Sequence, residues 1–262
     1  MIYICYGMTK SASTLLYQLT EEVFRASGRR APRLGPPFRS RLSVDNYFDR
    51  IDGPLVDRIK SSLNHDDIVL KTHGPLADDI ADRIASGDIL ASASLRDPRE
   101  IALSMIDHGA RSRRWGDLEF SECATPQDCL PSIDYQVETL RQWAAIPRVE
   151  TFSYNRICFD MAGTAQRLCA QFGVDADIER LVAPFRDPGL IGQFSTGTAL
   201  RYREMPTEDQ RLFLDRYADF YQRWPLDTEL VDRVAGTGRS GRSRPSGGIA
   251  QLLTRVRRML RH

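Results

Sequence analysis

The sequence predicts an α/β fold of three layers, a central parallel sheet with helices on both faces. Two observations carry this. Short apolar runs of strand length alternate with segments of helical period along the chain, which is the pattern of βαβ units. The residues with the richest chemistry, Lys10, His73, Arg96 and Tyr154, each stand just after such a run. Ligands of open parallel sheets bind outside the carboxyl ends of the strands, so the four collect on one rim.

The elements follow in order. Ile2 to Tyr6 is a short apolar strand, Gly7-Met8-Thr9-Lys10-Ser11 a turn, and Ser13 begins a helix. Leu15, Leu16, Leu19, Val23 and Phe24 give that helix one apolar face as far as about Ser27. Residues 28–40, rich in Gly, Pro and Arg, form an irregular basic loop. Asn46 to Ser62 reads as helix, broken near Gly53-Pro54. Asp67 to Thr72 is a buried strand running into Thr-His-Gly-Pro. A helix over Ala77 to Ala85 then stops at Gly87.

Ile89 to Leu95 is the next strand, after which Asp97 caps a helix with Pro98 in its first turn. That helix runs to about Gly109. Residues 111–131, with Pro126 and Pro131, read as a long surface loop of the kind that serves as a lid or substrate loop. Ile133 to Ala145 is helix, Val149 to Ser153 strand, Phe159 to Phe172 helix, and Thr207 to Trp224 a strongly periodic helix. Ala235 to Gly248 is a flexible basic linker. It leads to an amphipathic segment, Ile249 to His262, flanked by Arg255, Arg257, Arg258 and Arg261. The division is a main domain over 1–235 and an appendage over 236–262.

Composition sets bounds. A chain of 262 residues, 42% apolar and 27% charged, is an ordinary globular chain that buries a core without staples. A net charge of +1 gives no global field for nucleic acid or membrane. The 5 cysteines lack metal-ligand or C-x-x-C spacing and read as free thiols in a reducing compartment. No signal peptide and no stretch of transmembrane length is visible, so the expected location is cytoplasmic.

Three constellations carry chemistry. In the first, Lys10 with Ser11, Ser13 and Thr14 joins a strand to a helix start, where backbone N–H groups, the helix dipole and one ammonium bind phosphate. No glycine precedes Lys10, so the signature for a nucleoside triphosphate with magnesium is incomplete. In the second, Arg96-Asp97-Pro98-Arg99 precedes Ser104 by two helical turns, and a guanidinium there forks onto phosphate oxygens. In the third, Lys71-Thr72-His73 ends a buried strand, so His73 sits at the rim. An imidazole with an ordinary pKa of about 6.5 accepts a proton at neutral pH. His108, on the helix after Arg96, is placed to line the same site.

Together these resemble the sulfotransferases that use 3′-phosphoadenosine 5′-phosphosulfate (PAPS), especially the cytosolic type. The family's P-K-S-G-T-T-W motif is similar to Thr9-Lys10-Ser11-Ala12-Ser13-Thr14-Leu15, and its K-T-H-x-P motif to Lys71-Thr72-His73-Gly74-Pro75. Arg96 and Ser104 keep the interval of the family's 3′-phosphate motif. Tyr154-Asn155 partly matches its Y-E motif, and Ser195-Thr196-Gly197 falls where its R-K-G loop is expected. The match spans roughly Ile2 to Trp224. Three departures stand out: Leu15 replaces the tryptophan that stacks on adenine, Ala12 replaces a turn glycine, and Ser195-Thr196 lacks the basic pair.

The resemblance implies a P-loop-like sulfotransferase architecture and transfer of a sulfuryl group to an acceptor hydroxyl. By it, Lys10 neutralises the leaving phosphate oxygen, and backbone N–H groups of Ser11, Ala12, Ser13 and Thr14 hold the 5′-phosphate. His73 is the base and Lys71 steadies the transferred group. Arg96, Ser104, Tyr154, Ser195, Thr196 and Gly197 bind the rest of the nucleotide, with Arg201 or Arg203 supplying missing charge. No metal is expected, since lysines supply the positive charge.

Two other readings stay open: an ATP-dependent small-molecule kinase on a P-loop scaffold, and a non-enzymatic protein apposed to a membrane through 249–262, a segment that equally suits oligomerisation. The acceptor, a small metabolite, carbohydrate or glycolipid, is expected to lie against 28–48 and 111–131. The arginines there (Arg29, Arg30, Arg33, Arg39, Arg41, Arg111, Arg113 and Arg114) suit a polar or anionic group, or simply solvent.

Overall fold

In the computed structural model the described residues are 1–38, 46–63, 67–186 and 200–231. Four parallel strands make one sheet: β1 (Ile2–Gly7), β2 (Ile68–Thr72), β3 (Ile89–Leu95) and β4 (Val149–Ser153), in the order β2-β1-β3-β4. Ile4 at the centre of β1 lies beside Leu70 on one side and Ala91 on the other. Every β1 residue is buried, as a central strand covered on both faces requires.

Alternation along β1 sorts its side chains into two cores. Ile2, Ile4 and Tyr6 join the core under α2 (Gly53–Ser62), α3 (Asp78–Ser86), α4 (Pro98–Trp115) and α5 (Leu130–Ala144). Tyr3 and Cys5 join the opposite core, under α1 (Ser13–Ala26) and α7 (Met161–Phe172). The predicted three-layer α/β class is the observed one. The chain leaves β1 for β2 on one side, while β3 lies on the other, so the carboxyl ends of β1 and β3 bound a topological switch point.

Local chemistry sets the element ends. The Asp52 carboxylate accepts from the Leu55 N–H, with Pro54 in the first turn of α2. Asp97 caps α4 in the same way, accepting from Arg99 N–H. Asp160 caps α7 through Gly163 N–H, and Gly87 and Gly173 end α3 and α7 in the left-handed conformation.

Several boundaries differ from the sequence reading. Only Gly53–Ser62 of the expected 46–62 helix is helical. Asn46–Phe48 instead lies along β2, where Lys71 N–H donates to Asn46 O and Phe48 N–H to Lys71 O. Helix α4 does not stop at Gly109 but continues to Trp115, so the 111–131 loop shrinks to the segment before a 3-10 turn at Gln127–Cys129. Gly109 serves packing instead: a Cβ there would lie 2.1 Å from Phe120 O, where the returning chain crosses the helix. The 207–224 helix is two, α9 (Thr207–Arg216) and α10 (Ala218–Arg223), broken at Tyr217. Two further short helices among the described residues are α6 (Tyr154–Phe159) and α8 (Ile178–Val182). Among the described residues no helix is long and apolar enough to cross a membrane. The linker and helix expected over 236–262 lie outside the described residues, as do Arg39 and Arg41.

Candidate active site

The site begins where β1 gives way to α1. Gly7 is required at that exit, because a Cβ would meet Ser94 Oγ at 2.3 Å and Ser13 Cβ at 2.5 Å. Met8 N–H donates to Ser94 O at the end of β3, and Thr9 N–H donates to the Gln136 side chain on α5 at 2.6 Å. Lys10 and Ala12 both hold positive φ, 67° and 63°. For residues with a Cβ such a conformation costs on the order of 1–3 kcal/mol and persists only where the surroundings impose it. It leaves the start of α1 with no side-chain cap, its first N–H groups and positive dipole end at the sheet's carboxyl edge.

The predicted phosphate residues divide. Ser11 is fully buried and faces inward: its N–H and its hydroxyl both bond Met8 O, and the hydroxyl lies 2.7 Å from Ser94 Oγ. Its role in the structure is to tie the turn to β3. Ala12, Ser13 and Thr14 occupy the opening turn of α1. The Thr14 hydroxyl accepts from Lys71 Nζ at 2.7 Å, which brings the buried Lys71 from β2 to the helix start.

His73 follows β2 directly. Its Nδ1 lies 2.5 Å from Gly7 O, and a carbonyl only accepts, so Nδ1 carries the hydrogen and Nε2 is the basic nitrogen. That bond couples the imidazole to the exit of β1, where the turn into α1 begins. The Tyr47 ring lies 5.4 Å from the imidazole, centre to centre. Behind His73, Gly74 passes so close to Asp49 that a Cβ would stand 1.8 Å from its carbonyl oxygen, and Trp143 Nε1 donates to Gly74 O.

Arg96 follows β3 and is 7% exposed. Its guanidinium stacks on the Tyr154 ring at 3.8 Å, donates to Lys10 O at 3.1 Å and pairs with Glu100 at 2.9 Å. Its Nε is buried with no hydrogen-bond partner among the described residues. Burial pushes the Tyr154 hydroxyl up, which keeps it protonated. Ser104 is half-buried on the same face of α4, two turns past Arg96 with Glu100 between. Glu100 in turn accepts from Tyr202 N–H at 2.8 Å. Arg96, Tyr154, Tyr202 and Leu226 line one cleft. Arg201 pairs with Asp107 of α4 at 2.7 Å. Ser195, Thr196 and Gly197 lie outside the described residues.

Lys10 is the surprise. Its Nζ does not point at the helix start; it lies 2.6 Å from His108 Nδ1 on α4 and over the Phe120 ring. Of the arginines expected to face an acceptor, Arg33 instead pairs with the buried Glu21, and Arg113 donates to the Ser121 and Cys123 carbonyls. Gln136 and Ser94, which hold the turn, carry no motif in the sequence.

Compared with solved structures, the chain is similar to mouse sulfotransferase SULT7A1 in complex with PAP, at TM-score 0.55, 12% identity and 88% coverage of each chain. It is also similar to retinol dehydratase in complex with androsterone and the inactive cofactor PAP, at TM-score 0.50 and 14% identity, covering 94% of this chain and 82% of that one. No family model matches the chain, and none of the curated proteins matches it. The fold is the P-loop-like sulfotransferase fold. Within that sulfotransferase fold, Leu15 is core: it is 4% exposed and packs in the cluster that holds Phe152 and Ile157.

Proposed function

We propose that this protein is a sulfotransferase that moves a sulfuryl group from PAPS to an acceptor hydroxyl. One observation carries the reading: the His73–Gly7 hydrogen bond fixes a basic imidazole nitrogen at the mouth of an uncapped, positive-φ phosphate turn. A base and an anion cradle at one point suit transfer of a charged group to a hydroxyl. Both fold neighbours named above were solved with PAP, which supports a donor of this kind.

The residues present fit the donor's charge. The opening turn of α1 and Lys71 suit a phosphate at the β1 exit, and the guanidinium of Arg96, whose Nε has no partner among the described residues, suits a second anion near Tyr154 and Ser104. PAPS, when bound, supplies a sulfur already bonded to a good leaving group, the bisphosphate. With the donor bound, His73 Nε2 would accept the proton of the acceptor's hydroxyl at the point where that oxygen faces the sulfuryl group. Lys71, held beside Thr14, stabilises negative charge at the transfer point without moving. Lys71, joined by Lys10 once its ammonium leaves His108, provides the positive charge that a metal supplies in P-loop kinases.

The first test is thermal-shift binding of adenosine 3′,5′-bisphosphate against ATP with magnesium. The bisphosphate is expected to stabilise the protein more, and preference for ATP would reverse the reading toward a kinase. For the base, His73→Ala is expected to lower transfer by about 10²–10⁴-fold while bisphosphate affinity stays nearly unchanged. Equal loss of both would remove His73 from that role. Incubating the protein with sulfur-35-labelled PAPS and extracts of its source cells identifies the acceptor.

A further inference from the structure

Lys10 belongs to the phosphate turn, yet in this structure its ammonium is held elsewhere. An ammonium only donates, so the 2.6 Å contact to His108 Nδ1 requires a neutral imidazole accepting there, with its hydrogen on Nε2. That Nε2 lies 3.3 Å from Glu119 Oε2. The Phe120 ring closes the group, edge-on to His108 at 5.3 Å and beneath Lys10 Nζ at 4.8 Å. The arrangement is held from behind: the Phe120 carbonyl oxygen rests where a Cβ on Gly109 would stand, and Arg113 clamps the chain through Ser121 O and Cys123 O.

We propose that His108, anchored by Glu119, is the resting seat of the Lys10 ammonium and sets when that charge is released to the donor's phosphates. His108 is a positioning residue in this scheme, acting through Lys10, and the inference rests on the donor reading above. A neutral imidazole holds an ammonium by one hydrogen bond, whereas a phosphate holds it by charge as well. The lysine stem has four flexible carbons, so the ammonium swings between the two without backbone movement. Leaving the seat costs donor affinity whenever His108 is neutral.

Protonation removes that cost. A hydrogen on Nδ1 eliminates the acceptor and sets two cations against each other, so Lys10 leaves. The charged groups facing His108 are Lys10 from the turn, Arg111 from α4, and Asp117 and Glu119 from the segment after α4. Burial, then Lys10, holds the imidazole below the ordinary histidine range, with Glu119 working against them. Burial likewise lowers the Lys10 pKa, Glu119 again opposing. The seat is therefore occupied at neutral pH and vacated on acidification.

Calorimetric titration of the full chain with adenosine 3′,5′-bisphosphate tests this, the probe's own ionisation being common to every variant. At about pH 8, His108→Ala is expected to bind about tenfold tighter than wild type, since a hydrogen bond to a charged group is no longer broken, and the gap narrows on acidification toward about pH 5.5. His108→Gln, which accepts but cannot charge, is expected to match wild type at the higher pH and to lack its gain on acidification. Equal or weaker binding by His108→Ala at the higher pH, with a native thermal melt, overturns the proposal.

A ligand-free measurement separates the two claims. Lys10→Met is expected to raise the midpoint of the His108 imidazole proton titration in NMR, and an unmoved midpoint overturns the seat. A moved midpoint in a protein that binds no bisphosphate at either pH upholds the seat and removes the donor reading.

Discussion

At Arg96 one side chain serves structure and, in the proposed function, binding, and the two roles separate by mutation. Its guanidinium is buried against Tyr154 and paired with Glu100, itself 5% exposed. Removing it leaves Glu100 charged and buried without its cation, a loss of about 3–5 kcal/mol. Arg96→Ala is therefore expected to lower stability in denaturant unfolding as well as bisphosphate affinity. Ser104→Ala, at a half-buried position with no such partner to orphan among the described residues, is expected to weaken the bisphosphate by about 0.5–1.5 kcal/mol, roughly twofold to twelvefold, at unchanged unfolding midpoint. A Ser104→Ala protein that binds normally would take Ser104 out of the site. Arg96 and Ser104 were legible as a pair because one stands just past a strand and the other lies two turns on, along the helix that Asp97 caps. Glu100 between them was not, since a glutamate on a helix reads equally as solvent-facing.

Among the elements, α4 and the chain returning across it form the unit that seats Lys10. Gly109 inside the helix looked like a stop, because glycine is costly in a helix interior and common at its end. It is tolerated because the Phe120 carbonyl crosses there at a distance no Cβ allows. Gly109→Ala keeps helix propensity but forces the segment carrying Glu119 and Phe120 outward. A cost of about 1–3 kcal/mol is expected from overpacking, offset in part by the better helix former. The distinguishing readout is the His108 titration, whose midpoint should shift when Glu119 and Phe120 move away. A stable variant with an unchanged midpoint would show that the segment does not shape the seat.

For the whole molecule, the same imidazole links stability to pH. The unfolded chain protonates His108 near the ordinary value of about 6.5, and the folded chain only at lower pH. Between the two values the unfolded state binds more protons, so acidification favours unfolding. The contribution is fully present above the unfolded pKa and is lost as pH falls toward the folded one. Asp134, held down mainly by its hydrogen bond from Arg216, gives its loss only in the lower carboxylate range. Without ligand, the melting temperature of wild type is expected to fall more steeply below about pH 6.5 than that of His108→Gln. Superimposable slopes would mean the imidazole is not perturbed by folding.

By itself the sequence determined the layer architecture, the strand positions and the rim on which Lys10, His73, Arg96 and Tyr154 gather. These rest on local rules: an apolar period, a proline or aspartate at a helix start, a residue just past a strand. Only the tertiary structure decided what each rim residue touches. It turned Ser11 inward to Ser94, set His73 Nδ1 on Gly7 O and placed Lys10 on His108. Such contacts join residues far apart in the chain, and they depend on how the two helical layers seat on the sheet. No local pattern encodes that distance.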